Sequence, residues 1–152
     1  MAEWPTVTIG ELGDVFDGPH ATPKIVSEGP IFLGIGALQD GRINLGEKRH
    51  VTQDDFKKWT RRVRPQAGDI VFSYETRLGQ AAIIPEGLVC CLGRRMGLVR
   101  IDQNKILPRF FLYNYISPDF QEFLRRRTVH GATVDRILLT EFPDFPFPCP
   151  PL

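Results

Sequence analysis

The sequence has no apolar run approaching the roughly 20 residues that a membrane-spanning helix needs, and its start, MAEWPTVTIGE, lacks the basic and apolar regions of a signal peptide. A cytoplasmic protein with no membrane partner is expected. Cysteine is scarce. Cys90, Cys91 and Cys149 cannot all pair, and neighbours on a strand point to opposite faces, so reduced, mostly buried thiols are expected in place of a disulfide framework. Histidine is equally scarce: His20, His50 and His130 lie far apart, none at metal-ligand spacing with a Cys or another His, which argues against a zinc site. The chain also lacks internal repeats, low-complexity linkers and a charge imbalance, with 19 Lys and Arg against 18 Asp and Glu. A near-neutral sum taken alone argues against nucleic acid.

What is present is enough for one globular domain, 1–152. Of its 152 residues 42% are hydrophobic, and the charged 24% have both signs interspersed, which excludes disorder. The kind and placement of the cations matter more than their sum. Fourteen of the 19 are Arg, and they cluster in KKWTRRVR (57–64), GRRMG (93–97) and LRRRTVHG (124–131). Arg is suited to bidentate recognition of phosphate and guanine. Each cluster reads either as part of a basic face or as solvated surface charge.

Three helices are signalled by their caps. Thr52 precedes Asp54 and Asp55 and the apolar pair Phe56 and Trp59, with Lys57, Lys58 and Arg61 at the far end, where the helix dipole favours them. LPRFFLYNYI places Pro108 at a natural first position. Ser117 and Pro118 open a third helix with Phe120, Phe123 and Leu124 on one face and Arg125, Arg126 and Arg127 at its end. Strands are predicted at 30–36, 69–73, 80–84, 88–92 and 97–101. From 65 to 101 they follow one another with no room for helices. The fold class is therefore α+β, with a mixed, largely antiparallel sheet, a few short helices and a Pro-rich C-terminal strap, FPDFPFPCPPL, lying extended across the surface.

Enzyme signatures are weak. Asp55 and Lys57 form an Asp-x-Lys triplet, but on a capped helix with no acidic partner on a strand; Asp69 and Glu75 have nothing to complete a magnesium site. GIGALQDG contains Gly-x-Gly without a following helix, and Asp40-Gly41 marks a turn instead. No catalytic residue, cofactor or metal is expected. The oddest stretch is GDIVFSYETRLGQAAII (68–84), whose apolar ends enclose Ser73, Tyr74, Glu75, Thr76 and Arg77.

Several pieces in order resemble one family. EWPTVTIGELGDVFDG, GPIFLGIGALQDGRI, VRPQAGDIVFSYETRLGQAAII, ILPRFFLYNYI and HGATVDRILLTEFPDFPFPCPPL are similar, in order and spacing, to target-recognition domains of type I restriction-modification specificity subunits. The resemblance implies sequence-specific reading of one half of a split double-stranded DNA site, without catalysis. It implies as partners a second recognition domain and the methyltransferase and restriction subunits. The chain holds one such domain and stops where the family's spacer helix would begin, which fits a cut-out domain, a half-subunit or a recruited module.

On this reading local chemistry assigns the contacts. His20, Thr22 and Lys24 approach DNA from the loop 18–24. Tyr74, Thr76, Arg77 and Gln80 are direct readers, with Arg77 the guanine reader. Lys57, Lys58, Arg61, Arg62, Arg94 and Arg95 bind phosphates, and His130, Thr133 and Arg136 come from HGATVDR. The rival readings are a protein-interaction module using the aromatic helices and the strap, and a nuclease-linked targeting module.

Overall fold

A computed structural model describes residues 4–19, 24–131 and 135–152. The chain opens with strand β1 (Thr6–Thr8), helix α1 (Ile9–Leu12), β2 (Gly13–Asp17) and β3 (Val26–Leu33). The short strands β4 (Leu38–Gln39), β5 (Arg42–Ile43) and β6 (Arg49–His50) precede helix α2 (Gln53–Trp59). Then come β7 (Ile70–Ser73), β8 (Ala81–Ile83), β9 (Cys90–Leu92) and β10 (Met96–Ile101). Helices α3 (Pro108–Tyr115) and α4 (Pro118–Arg127) lead to β11 (Val129–His130), β12 (Asp135–Arg136) and β13 (Pro146–Pro148). The α+β class is observed.

All three helices form where their caps place them. Thr52 Oγ1 accepts the amide of Asp55, Ser117 Oγ accepts that of Phe120, and Pro108 occupies the start of α3. Asp40 and Gly41, both at positive φ, make the two-residue turn between β4 and β5, a conformation that suits the Asp-Gly pair.

The central sheet, β2-β10-β7-β8, is antiparallel throughout. Its register separates two cores by simple alternation. Phe16, Leu98, Val71 and Ala82 stand in one cross-strand row, and all pack in the cluster shared with Leu33, Ile84 and Met96. Val15, Val99, Ile70 and Ile83 form the next row, facing the aromatic cluster under α3 and α4. One row beyond Leu98, away from Val99, Gly97 lies opposite Phe72. A Cβ there would meet the Phe72 ring at 2.5 Å, so the ring occupies the space a side chain would take.

The strands after 65 do not make one sheet. β9 leaves β8 and pairs in parallel with β3 in a second sheet, β6-β3-β9, and its Cys90 packs in the same core as Ile84. Cys90 packs in the inter-sheet core and Cys91 on the opposite face with Val51 and Phe56, the alternation expected of neighbours on a strand. Burial pushes the two thiols up, to about 12 and about 11 respectively, so both stay protonated and unreactive at neutral pH.

The strap differs from its expectation. It opens with a 3-10 turn at Phe142–Asp144 and becomes extended only in β13, antiparallel to β1, and it does not lie across the surface. Phe142, Phe145 and Phe147 drive inward while Pro146 faces out. Phe142 stacks on Phe72 with ring centroids 4.3 Å apart, and Phe147 stacks on Phe111 at 4.4 Å. Proline costs the strap ladder donors, and the alternating phenylalanines offset that by closing the aromatic core. Beneath the hairpin base Asp69, 4% exposed, is held in a fork by Arg100 through Nε at 3.1 Å and Nη2 at 2.8 Å, and it accepts the Gln66 amide at 2.8 Å. This carboxylate is a structural anchor whose oxygens are engaged.

Candidate nucleic-acid interface

The β7–β8 hairpin positions the polar stretch. The alternation that buries Ile70 and Phe72 carries one residue past the strand and buries Tyr74 with them. Ser73, also buried, donates its hydroxyl to the Arg77 carbonyl, and its amide bonds the Gln80 carbonyl at 3.0 Å. These two bonds close the loop at its base.

Beyond them the loop is fixed by its neighbours. The Tyr74 amide donates to the Arg95 carbonyl at 3.1 Å, the Ile137 amide to the Tyr74 carbonyl at 2.8 Å, and the Thr76 amide to the Asp135 carbonyl at 3.0 Å. Glu75 and Arg136 form an antiparallel bridge. Thr76, exposed, sits at φ +66°, and Arg95 at φ +68°. A β-branched residue in the left-handed region is strained, and the surrounding bonds over-determine it, a pattern that clusters at functional positions. The Glu75 carboxylate pairs with Arg95 Nε at 3.6 Å, so the two loops are joined by charge as well as by backbone.

Tyr74 connects this rim to a second group of cations. Its hydroxyl donates to Asp17 Oδ1 at 2.6 Å, at the end of β2. Asp17 in turn faces Arg62, whose Nη1 lies 3.7 Å from Oδ2 and donates to the Asp17 carbonyl at 3.4 Å. Burial first, and then the Asp17 carboxylate, hold the Tyr74 phenol well above the ordinary tyrosine range. It is a permanent donor at neutral pH. Asp17, Gly18 and Pro19 line a cleft of about 480 Å³ together with Lys58, Trp59, Arg61 and Arg62. The Trp59 indole N–H is buried without a hydrogen-bond partner among the described residues.

The structure therefore brings together Lys58, Arg61 and Arg62 at the cleft, and Tyr74, Thr76, Arg95 and Arg136 at the rim. Arg94 is exposed on the same turn as Arg95, and Lys57 is exposed on α2 outside the cleft lining. His130 is exposed and pairs with Asp135 at 3.1 Å. Arg77 is half-buried and donates Nη1 to the Gly36 carbonyl at 3.4 Å, which among the described residues leaves most of its five-donor fork uncommitted. Gln80 stands apart, lining a separate hollow with Asp40, Gly41 and Gln121. Lys24 is exposed just ahead of β3. His20, Thr22 and Thr133 lie outside the described residues.

One residue escapes the sequence reading. Asp17 is the acid among these cations, and its only signal is an ionisable residue closing the apolar strand GDVFD. Arg125, from the 124–131 cluster, pairs with Glu122 and lines a hollow with Leu78, His130 and Asp135, so the end of α4 flanks the rim. For chemistry the site offers cations and hydrogen-bond donors. Among the described residues no three His, Cys, Asp or Glu side chains cluster closely enough to hold a metal ion, and no helix is long and apolar enough to cross a membrane.

No protein-family model matches the sequence, and no curated protein matches it. Solved structures do match. The S subunit of a type I restriction-modification system from M. genitalium superposes with a TM-score of 0.63 at 18% identity, over 96% of this chain and 34% of that one. The HsdS subunit from Thermoanaerobacter tengcongensis gives 0.65 at 18% identity, over 97% and 33%. A chain from a type I R-M system, solved for its complex assembly and conformational transition, gives 0.63 at 20% identity, over 100% and 35%. This chain thus spans about a third of the length of the solved chains it matches. Its fold is the fold of part of a type I restriction-modification S subunit, the family that its ordered motifs resemble.

Proposed function

We propose that the chain is one DNA target-recognition domain, reading one half of a split double-stranded site for a type I restriction-modification system and having no catalysis of its own. The observation that carries this reading is the convergence of separate polar segments on one rim: the hairpin loop at 74–77, the Arg94-Arg95 turn and the strand at 135–136 are tied to one another by backbone bonds. The fold likeness supports it, since it covers nearly the whole chain.

The division of labour follows from exposure. Lys57, Lys58, Arg61, Arg62, Arg94 and Arg95 neutralise phosphates, which sets register and makes affinity salt-dependent. Thr76, Arg77, His130 and Arg136 reach base edges. Tyr74 acts from beneath, holding the loop. A second recognition domain and the methyltransferase and restriction subunits are the proposed assembly partners, in the cytoplasm. Selection from randomised duplexes at moderate salt tests the reading. An enriched half-site is expected; affinity equal on all sequences overturns it.

A further inference from the structure

Asp17 is out of place in a phosphate-binding cleft. It stands beside Lys58, Arg61 and Arg62, and an acid at such a surface repels the ligand the cations attract. Its side chain is one-quarter exposed, so solvent does not remove that charge from the cleft. Its geometry ties it instead to two proposed DNA-binding elements at once. Oδ1 accepts the hydroxyl of Tyr74, the residue that begins the reading loop, and Oδ2 with the backbone carbonyl faces Arg62, three residues beyond α2. The adjoining Gly18 amide donates to the Met96 carbonyl at 2.9 Å, which fixes β2's end to the strand that follows the Arg94-Arg95 turn.

Resting on the proposed DNA-reading role, we infer that Asp17 is a specificity-determining positioning residue. It sets the reading loop through Tyr74 and restrains Arg62, lowering indiscriminate phosphate binding while preserving the bound register. Its two actions separate by substitution. Tyr74→Phe removes the hydrogen bond and keeps every charge. Asp17→Asn keeps an acceptor for Tyr74 and removes the charge opposing the phosphates.

The test measures affinity for the selected half-site and for an unrelated duplex across a salt series, using the full chain, with thermal melting alongside. Tyr74→Phe should lower the ratio of specific to non-specific affinity about tenfold with an unchanged salt slope, as the loss of one charge-assisted bond directs. Asp17→Asn should tighten non-specific binding about threefold and steepen the salt slope by about one contact. Arg62→Gln, an exposed change that leaves the core alone, should flatten the slope by the same amount. A Tyr74→Phe protein with a lower melting temperature but an unaltered ratio reduces Tyr74 to a core contact and overturns the inference. So does an Asp17→Asn protein whose non-specific affinity and slope match the wild type. Wild-type protein that enriches no sequence sinks the DNA reading itself, and the inference with it.

Discussion

The two ends of the β7–β8 hairpin obey different rules. At its base Ile70, Val71, Phe72, Ala81 and Ala82 are fully buried, and simple alternation decides which core each joins. At its tip Glu75, Thr76 and Arg77 are placed by bonds to Arg95, Asp135 and Gly36, residues far away in sequence. The base is a packing problem with a local solution. The tip is a polar surface whose shape depends on three other loops, so a scaffold set by hydrophobic period carries a rim set by long-range hydrogen bonds.

If that contrast holds, substitutions at the base cost stability and those at the rim cost recognition. The largest loss is expected from Phe147→Ala, which empties the strap's anchor against Phe111 and Phe120; it should cost about 3–5 kcal/mol in denaturant unfolding. Arg100→Ala should follow at about 3 kcal/mol, because it leaves the buried Asp69 carboxylate without its cation. Arg94→Ala lies at the other extreme. Exposed on its turn, it should change stability by no more than about 0.5 kcal/mol while flattening the salt slope of DNA binding by about 0.9. A large unfolding penalty for Arg94→Ala would break the division between base and rim.

The same division explains what was legible in the sequence. Thr52, Pro108 and Ser117 announce their helices because capping is chemistry between near neighbours, and Asp40-Gly41 announces its turn for the same reason. The central strands from 70 to 101 are legible from their apolar runs. The transfer of β9 to another sheet is not, because pairing partners lie far apart along the chain. β2 is obscured by Asp14 and Asp17 among its apolar residues. In the strap, five prolines conceal that Phe142, Phe145 and Phe147 point inward. Tyr74 carried its own signal, since Ile70, Phe72 and Tyr74 keep a period of two. A polar run after Ser73 masks it. The joining of Tyr74 to Asp17, 57 residues away, has no local trace.

Arg77 is where scaffold and rim meet, half-buried and holding the Gly36 carbonyl through one guanidinium donor. The most direct test is therefore the base-by-base preference of Arg77→Ala, measured against the wild type on the selected half-site and on unrelated duplexes. A preference relaxed at one base pair by roughly 1–3 kcal/mol, with non-specific affinity nearly unchanged, is the predicted result. An equal loss on every sequence, or no loss at all, would contradict it.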